Sequence, residues 1–256
     1  MSPVVVGVSL KMYFGHARAR EWFAQVAQLA RENESVTSGA VELFVIPSFV
    51  SIPAAAEALA GTPVIVGAQD LFWEDDGAYT GEVSGAELAE LGVGVVEVGH
   101  AERRRIFGET DEIVAAKTAA ALRNGIAPVL CIGETVRSEP DAAAREVVEQ
   151  LHSALDGAPA GRVLVAYEPV WAIGAPEPAP AEHIMAVARS LRAAVDALPG
   201  RGGSSVIYGG SAGPGLLSSL DGAVDGLFLG RFAHDPAALA SVLDEASVLA
   251  GSSVRA

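Results

Sequence analysis

Three side chains of different chemistry stand at the ends of short apolar runs: Lys11 after VVVGVSL (4–10), His100 after VGVVEVG (93–99), and Glu168 closing RVLVAYE (162–168). A carboxylate, an imidazole and an ammonium together suit one kind of reaction. The carboxylate takes a proton from a carbon beside a carbonyl, and the other two groups hold the oxyanion that forms. Glu102 follows His100 by two positions, and Ser9 precedes Lys11 by two. Two later runs end in glycine turns, Gly209-Gly210-Ser211 and Gly230-Arg231. Glycine in such turns lets backbone N–H groups close on an anion such as phosphate. The chemistry suggested is proton transfer on a small phosphorylated carbonyl compound. Taken singly, each residue has a plainer reading: a strand-end Glu or His held for structure, and a surface lysine with its stem folded down.

These residues need elements to carry them. Apolar, β-branched runs recur at 4–10, 41–47, 64–69, 93–99, 127–133, 162–168, 205–210 and 226–230. They are nearly continuous rather than alternating, as in strands covered on both faces. Most are separated by Ala/Leu/Glu-rich stretches of helical period, such as 19–33 and 112–125, the latter ending in Asn124-Gly125. The link after 69 differs, being a long polar loop before a short helix. Eight strands alternating with helices predict an α/β fold, a single-domain (β/α)8 barrel over 1–256. An open doubly wound sheet is the alternative, weakened by the lack of Gly-x-Gly-x-x-Gly after the first run. In a barrel, strand ends and the loops after them form the reactive face, where all the residues above fall.

Composition excludes other classes. The formal net charge is −15 over 256 residues, which opposes binding to nucleic acid or an anionic membrane surface. A cleft can still attract an anion through its local field. The single cysteine, Cys131, excludes an internal disulfide and fits a reducing compartment; it reads as a small buried hydrophobe. With no signal-peptide pattern and no long apolar span, a cytoplasmic protein is expected. His16, His152, His183 and His234 are expected in solvent. Strand alternation from His100 places Glu97 on the opposite side, facing the helices, with no evident partner.

LKMY, VGHAERRRIFGETDE, LCIGET, AYEPVWAIG and YGGSAGPG, in this order over essentially the whole chain, resemble the triosephosphate isomerase family. The resemblance implies a homodimeric barrel with no metal and no organic cofactor, acting on a small phosphorylated sugar. It implies Glu168 as the base moving a proton between adjacent carbons, His100 as a neutral imidazole polarising the carbonyl, and Lys11 as the substrate-facing cation. Glu102 would support them. Pro169-Val170-Trp171 resembles the first hinge of the family's lid, with Trp171 in a gating role. The loop DGAYTGE (76–82) resembles the one that inserts into a partner subunit, Thr80 reaching the neighbour's Lys11 region.

Departures from the family pattern cluster around the ends of the substrate. Ser9 stands in place of asparagine, Leu10 of tryptophan and Tyr13 of asparagine. The lid reads Gly174-Ala175-Pro176-Glu177-Pro178-Ala179 in place of Gly-Thr-Gly-Lys-Thr-Ala, and a pair of glycines becomes Gly230-Arg231. Ser9, Gly174, Ser211, Gly230 and Arg231 are the expected substrate and phosphate contacts. The shorter Ser9 makes room for an added hydroxymethyl group. These features look closer to the family branch that isomerises tetrulose phosphates such as L-erythrulose 1-phosphate. A triose phosphate substrate is the alternative, and a barrel that binds sugar phosphate without turnover a lesser one. A phosphosugar epimerase would call for paired carboxylates and often a metal, an aldolase for a Schiff-base lysine; neither arrangement is evident.

Overall fold

The computed structural model describes residues 2–253. Eight parallel strands, β1 (Val4–Ser9), β2 (Val41–Ile46), β3 (Ile65–Ala68), β4 (Val95–Val98), β5 (Ala127–Ile132), β6 (Leu164–Tyr167), β7 (Ser205–Tyr208) and β8 (Gly226–Leu229), close into a barrel in sequence order. Closure comes from β1 pairing with β8, in the register Val5↔Gly226 to Val8↔Leu229. The expected (β/α)8 barrel is therefore the fold.

The strands are buried on both faces, which explains their unbroken apolar runs. Val5, Phe44, Ile46, Val95, Val129, Cys131, Leu164, Ala166, Ile207 and Phe228 fill the interior. Their neighbours in sequence, among them Val6, Val8, Val45, Val96 and Val165, pack against the outer helices. The helix His16–Glu32 buries Ala19, Trp22, Phe23, Val26, Ala27 and Ala30, a stripe at three- and four-residue spacing. Trp22 Nε1 donates to Ala233 O at 3.1 Å, tying this helix to the loop after β8.

Local signals set the ends of the helices. Thr110 caps Asp111–Arg123 by accepting from Ile113 N, acidic Asp111 and Glu112 occupy the first turn, and Asn124 ends it before Gly125 at φ +72°. The loop 69–84 is long and leads to the short helix Gly85–Glu90, as expected. Among the described residues no helix is long and apolar enough to cross a membrane.

Candidate active site

The strands β1, β4 and β6 bring Lys11, His100 and Glu168 to one open cleft of about 1280 Å³. His100 caps the helix Ala101–Phe107: its Nδ1 accepts from Glu102 N at 3.1 Å. An accepting Nδ1 carries no proton, so the neutral ring holds its proton on Nε2. Nε2 lies 3.6 Å from Glu168 Oε2, too far for a hydrogen bond. Burial, with the Lys11 charge adding to it, pushes His100 down to about 4. The ring is neutral across the physiological range.

Lys11 sits in the left-handed region at φ +47°, rare for a residue with a side chain and typical of functional sites. Gln69 Nε2 steadies it by donating to Lys11 O at 2.9 Å and Ile46 O at 3.3 Å. Its Nζ donates to Glu102 Oε1 at 2.7 Å. Burial disfavours the charged form of Lys11, but the Glu102 bond and the charges of Glu102, Glu168 and Glu97 outweigh it and raise the group. Burial also acts against the Glu102 charge, and the Lys11 hydrogen bond reverses it, holding Glu102 low. The site thus contains a fixed cation beside a neutral imidazole.

Glu168 follows β6 and is buried. Its Oε2 is enclosed and takes no hydrogen bond, an unusual state for a carboxylate. Burial and then the Glu97 charge push it up to about 8, against the pull of Lys11. Its side chain has room because residue 209 is glycine: a Cβ there would stand 2.5 Å from Glu168 Oε1 and 2.7 Å from Cγ. Gly209 was expected at an anion cradle, and its neighbourhood gives it a second reason to be glycine. Cys131 lies buried beside the two carboxylates, its thiol pushed up first by burial and then by the Glu168 charge. It is buried, as expected of a small hydrophobe.

On the rim, a short 3₁₀ turn Val170–Ala172 opens the loop after Glu168, and Gly174 follows at φ +71°. Ser211 Oγ reaches Ala175 O at 2.7 Å and Ala172 O at 3.2 Å, so its hydroxyl is engaged with the loop after β6. Tyr208 OH accepts from Ala179 N at 3.2 Å. The Arg231 side chain is exposed, its guanidinium carbon 5.9 Å from the Tyr13 ring centre and one Nη near Gly174. Gly230 lines the cleft. Trp171 Nε1 donates to Glu134 Oε1 at 2.8 Å. Thr80 lies on an exposed stretch of its loop. Among the described residues no group of three or more His, Cys, Asp or Glu could hold a metal ion.

The family model for triosephosphate isomerase matches residues 4–246. The chain belongs to the triosephosphate isomerase family. An L-erythrulose-1-phosphate isomerase of Pectobacterium atrosepticum is 50% identical over 250 residues, 96% of each chain. A triosephosphate isomerase of a Synechococcus strain is 36% identical over 247 residues, 95% of this chain and 97% of the relative. An L-erythrulose-1-phosphate isomerase of Rhizobium etli is 41% identical over 238 residues, 90% of this chain and 87% of the relative. The triosephosphate isomerase family acts on small phosphorylated sugars, and its relatives here are named isomerases.

Within this triosephosphate isomerase barrel, three sequence expectations need correction. Glu97 does not face the helices. It points into the cleft and accepts from Ser9 Oγ at 2.8 Å, in step with inward Val95. Alternation counted back from His100 fails because Gly99, at φ +75°, turns the chain between them. His183 is buried rather than solvated, its Nε2 3.1 Å from Glu134 Oε1. His234 is half-buried between Tyr13 and Phe14, while His16 and His152 are exposed as expected. Sequence reasoning also missed Glu134, which is fully buried and gathers Tyr167 OH, Trp171 Nε1 and His183 Nε2 beneath the turn Val170–Ala172. The available signal was its place two residues past the β5 end, a reactive-face position of the barrel.

Proposed function

We propose that the chain isomerises a four-carbon ketose phosphate, moving the carbonyl to the neighbouring carbon through an enediolate. The observation that carries this reading is the enclosed, unpartnered Glu168 carboxylate facing the Nε2 of a neutral His100. Glu168 takes the proton from the hydroxyl-bearing carbon. The C–H electrons form the new C–C π bond, and the carbonyl pair moves onto oxygen. His100 Nε2–H and Lys11 Nζ stabilise that oxygen, because a preorganised donor and a charge act strongly in a water-poor site. The protonated Glu168 returns its proton to the former carbonyl carbon, and the hydroxyl proton passes between the two oxygens by way of His100. The chemistry requires neither metal nor organic cofactor.

Glu102 holds Lys11 and, through its backbone N–H, the His100 tautomer. The phosphate is assigned to the backbone around Gly174, Ser211 and Gly230, with Arg231 adding charge at the rim. Trp171, hydrogen-bonded to Glu134, is assigned to the moving end of the lid. Substrate length is argued from Ser9, whose side chain is short, and from the names of the relatives 50% and 41% identical. The decisive measurement compares kcat/KM for the erythrulose phosphates with that for dihydroxyacetone phosphate. A preference of tenfold or more for four carbons is expected, and the reverse preference returns the substrate to a triose phosphate. Glu168→Asp is the control, expected to lower both by on the order of 100-fold through misplacement of the base.

The same reading includes a homodimer in the cytoplasm. Exposed Met12 and Tyr79 on loops, and Ile106 and Phe107 at the end of the helix Ala101–Phe107, are large apolar side chains of the kind an interface covers. Thr80, beside Tyr79, is then the residue reaching the partner's site. A monomer with full activity in sedimentation experiments would refute this. The lone buried thiol of Cys131 is compatible with a reducing compartment.

A further inference from the structure

We propose that Glu97, held by Ser9, is the specificity-determining residue for the fourth carbon: its free carboxylate oxygen accepts the hydroxyl of the substrate's terminal hydroxymethyl group. The inference rests on the four-carbon reading above. Glu97 lies on β4 and points inward, into a barrel interior that includes apolar Val5, Phe44, Val95, Val129, Leu164 and Ile207. An apolar side chain there would match most of its neighbours and leave only the Ser9 hydroxyl without a partner, whereas a buried carboxylate is expensive to keep. Burial pushes Glu97 up to about 7 even with the Ser9 bond and the Lys11 charge opposing it. Packing therefore does not account for a carboxylate at this position.

The geometry gives it a use. Ser9 Oγ donates to Oε2, which fixes the carboxylate plane and leaves Oε1 with no donor from the described residues. Both residues line the cleft that holds Glu168, His100 and Lys11. Cys131, also on the cleft wall, feels the charges of both Glu168 and Glu97, so the three side chains are neighbours. A carboxylate oxygen only accepts, and an alcohol beyond the reacting carbons only has to donate to it. A three-carbon substrate has no such alcohol and leaves the oxygen unmatched, a difference that buried polar sites turn into discrimination.

The test uses Glu97→Leu and Glu97→Gln in the full chain. It reads kcat/KM from complete pH profiles, because removing the Glu97 charge also lowers the pKa of Glu168. For Glu97→Leu, the ratio of erythrulose phosphate to dihydroxyacetone phosphate kcat/KM should fall on the order of 100-fold, the loss expected for one hydrogen bond to a charged group, mainly through KM for the longer substrate. Glu97→Gln keeps one accepting oxygen and should retain the ratio within about tenfold. An equal fall on both substrates, or an unchanged ratio, overturns the proposal. Should the native enzyme itself prefer dihydroxyacetone phosphate, the four-carbon reading fails separately. Calorimetric Kd values then decide for Glu97. If Glu97→Leu weakens a phosphoerythronate more than phosphoglycolate, the assignment stands; if both weaken alike, it falls.

Discussion

Glu134 and Glu168 stand one strand apart at the same end of the barrel, both shut away from water, and their surroundings treat them in opposite ways. Glu134 accepts from Tyr167 OH, Trp171 Nε1 and His183 Nε2, and its own backbone carbonyl accepts from Val170 N at 2.9 Å. Glu168 keeps Oε2 with no partner at all. A carboxylate ringed by donors is stable as it is and resists any change of state. One whose Oε2 has no donor, and whose side chain receives only the weak Cys131 thiol, is held mainly by packing beside the glycine at 209, and it gains from a proton. The difference separates a joint from a reagent. Loss of Glu134 should therefore show mostly in stability, and loss of Glu168 mostly in turnover.

The largest effect is expected at Glu168. Glu168→Gln keeps the shape and should lower kcat by on the order of 1,000-fold or more, since the proton acceptor itself is gone. Stability should not suffer and should become flatter with pH. Glu168 rises from an ordinary 4.5 to about 8 in the folded protein, so between those values the folded state binds more proton than the unfolded one. Folding stability accordingly declines as pH rises from about 5 through about 8, and this slope should shrink in Glu168→Gln. Chemical denaturation at several pH values reads it; a native protein equally stable at pH 5 and pH 8 would contradict the assignment. In the free enzyme, kcat/KM should also fall as pH drops through about 8, because the base must be ionised. His100, near 4, contributes no limb above pH 5.

Glu134→Ala is the counterpart. Three donors lose their acceptor inside the protein, and about 3 kcal/mol of stability should go with them, measured by urea unfolding. Turnover should fall by less than about tenfold, because nothing that touches the reacting carbons has moved. Were turnover to collapse while stability held, the two glutamates would have exchanged roles.

The two residues also mark how far the sequence could be read. The barrel was legible because strands covered on both faces leave unbroken apolar runs, and Lys11, His100 and Glu168 were legible because they end such runs. Glu134 closes a comparable run, yet its role depends on Tyr167, Trp171 and His183 arriving from other elements, 33 to 49 positions away. No local pattern records that meeting. The polar or small neighbours of His183, Ala181-Glu182, point to solvent. The helix Ala181–Ala197 nonetheless turns it inward with Ile184 and Val187. Simple alternation puts Glu97 on the wrong side, since the single left-handed Gly99 resets the count.

The smallest effect should come from the far end of the lid, where no glutamate is involved. Glu134 holds the start of the loop after β6 through Trp171, while its far end is held by Ala179 N on Tyr208 OH and stiffened by Pro176, Pro178 and Pro180. Each proline fixes its φ near −65°, which leaves fewer dihedrals to absorb closure. Less conformational freedom is then lost when the lid shuts. The two influences oppose each other, so Pro176→Gly/Pro178→Thr should change kcat by only about two- to threefold while speeding lid exchange. Relaxation dispersion with and without phosphoglycolate measures the exchange directly. Movement concentrated at Pro169–Trp171 and Gly174 in the native protein would place the working hinge on the Glu134 side. A native lid whose signals ignore the ligand, in an enzyme that still turns over, would make the loop a fixed wall and reduce Glu134 to a brace.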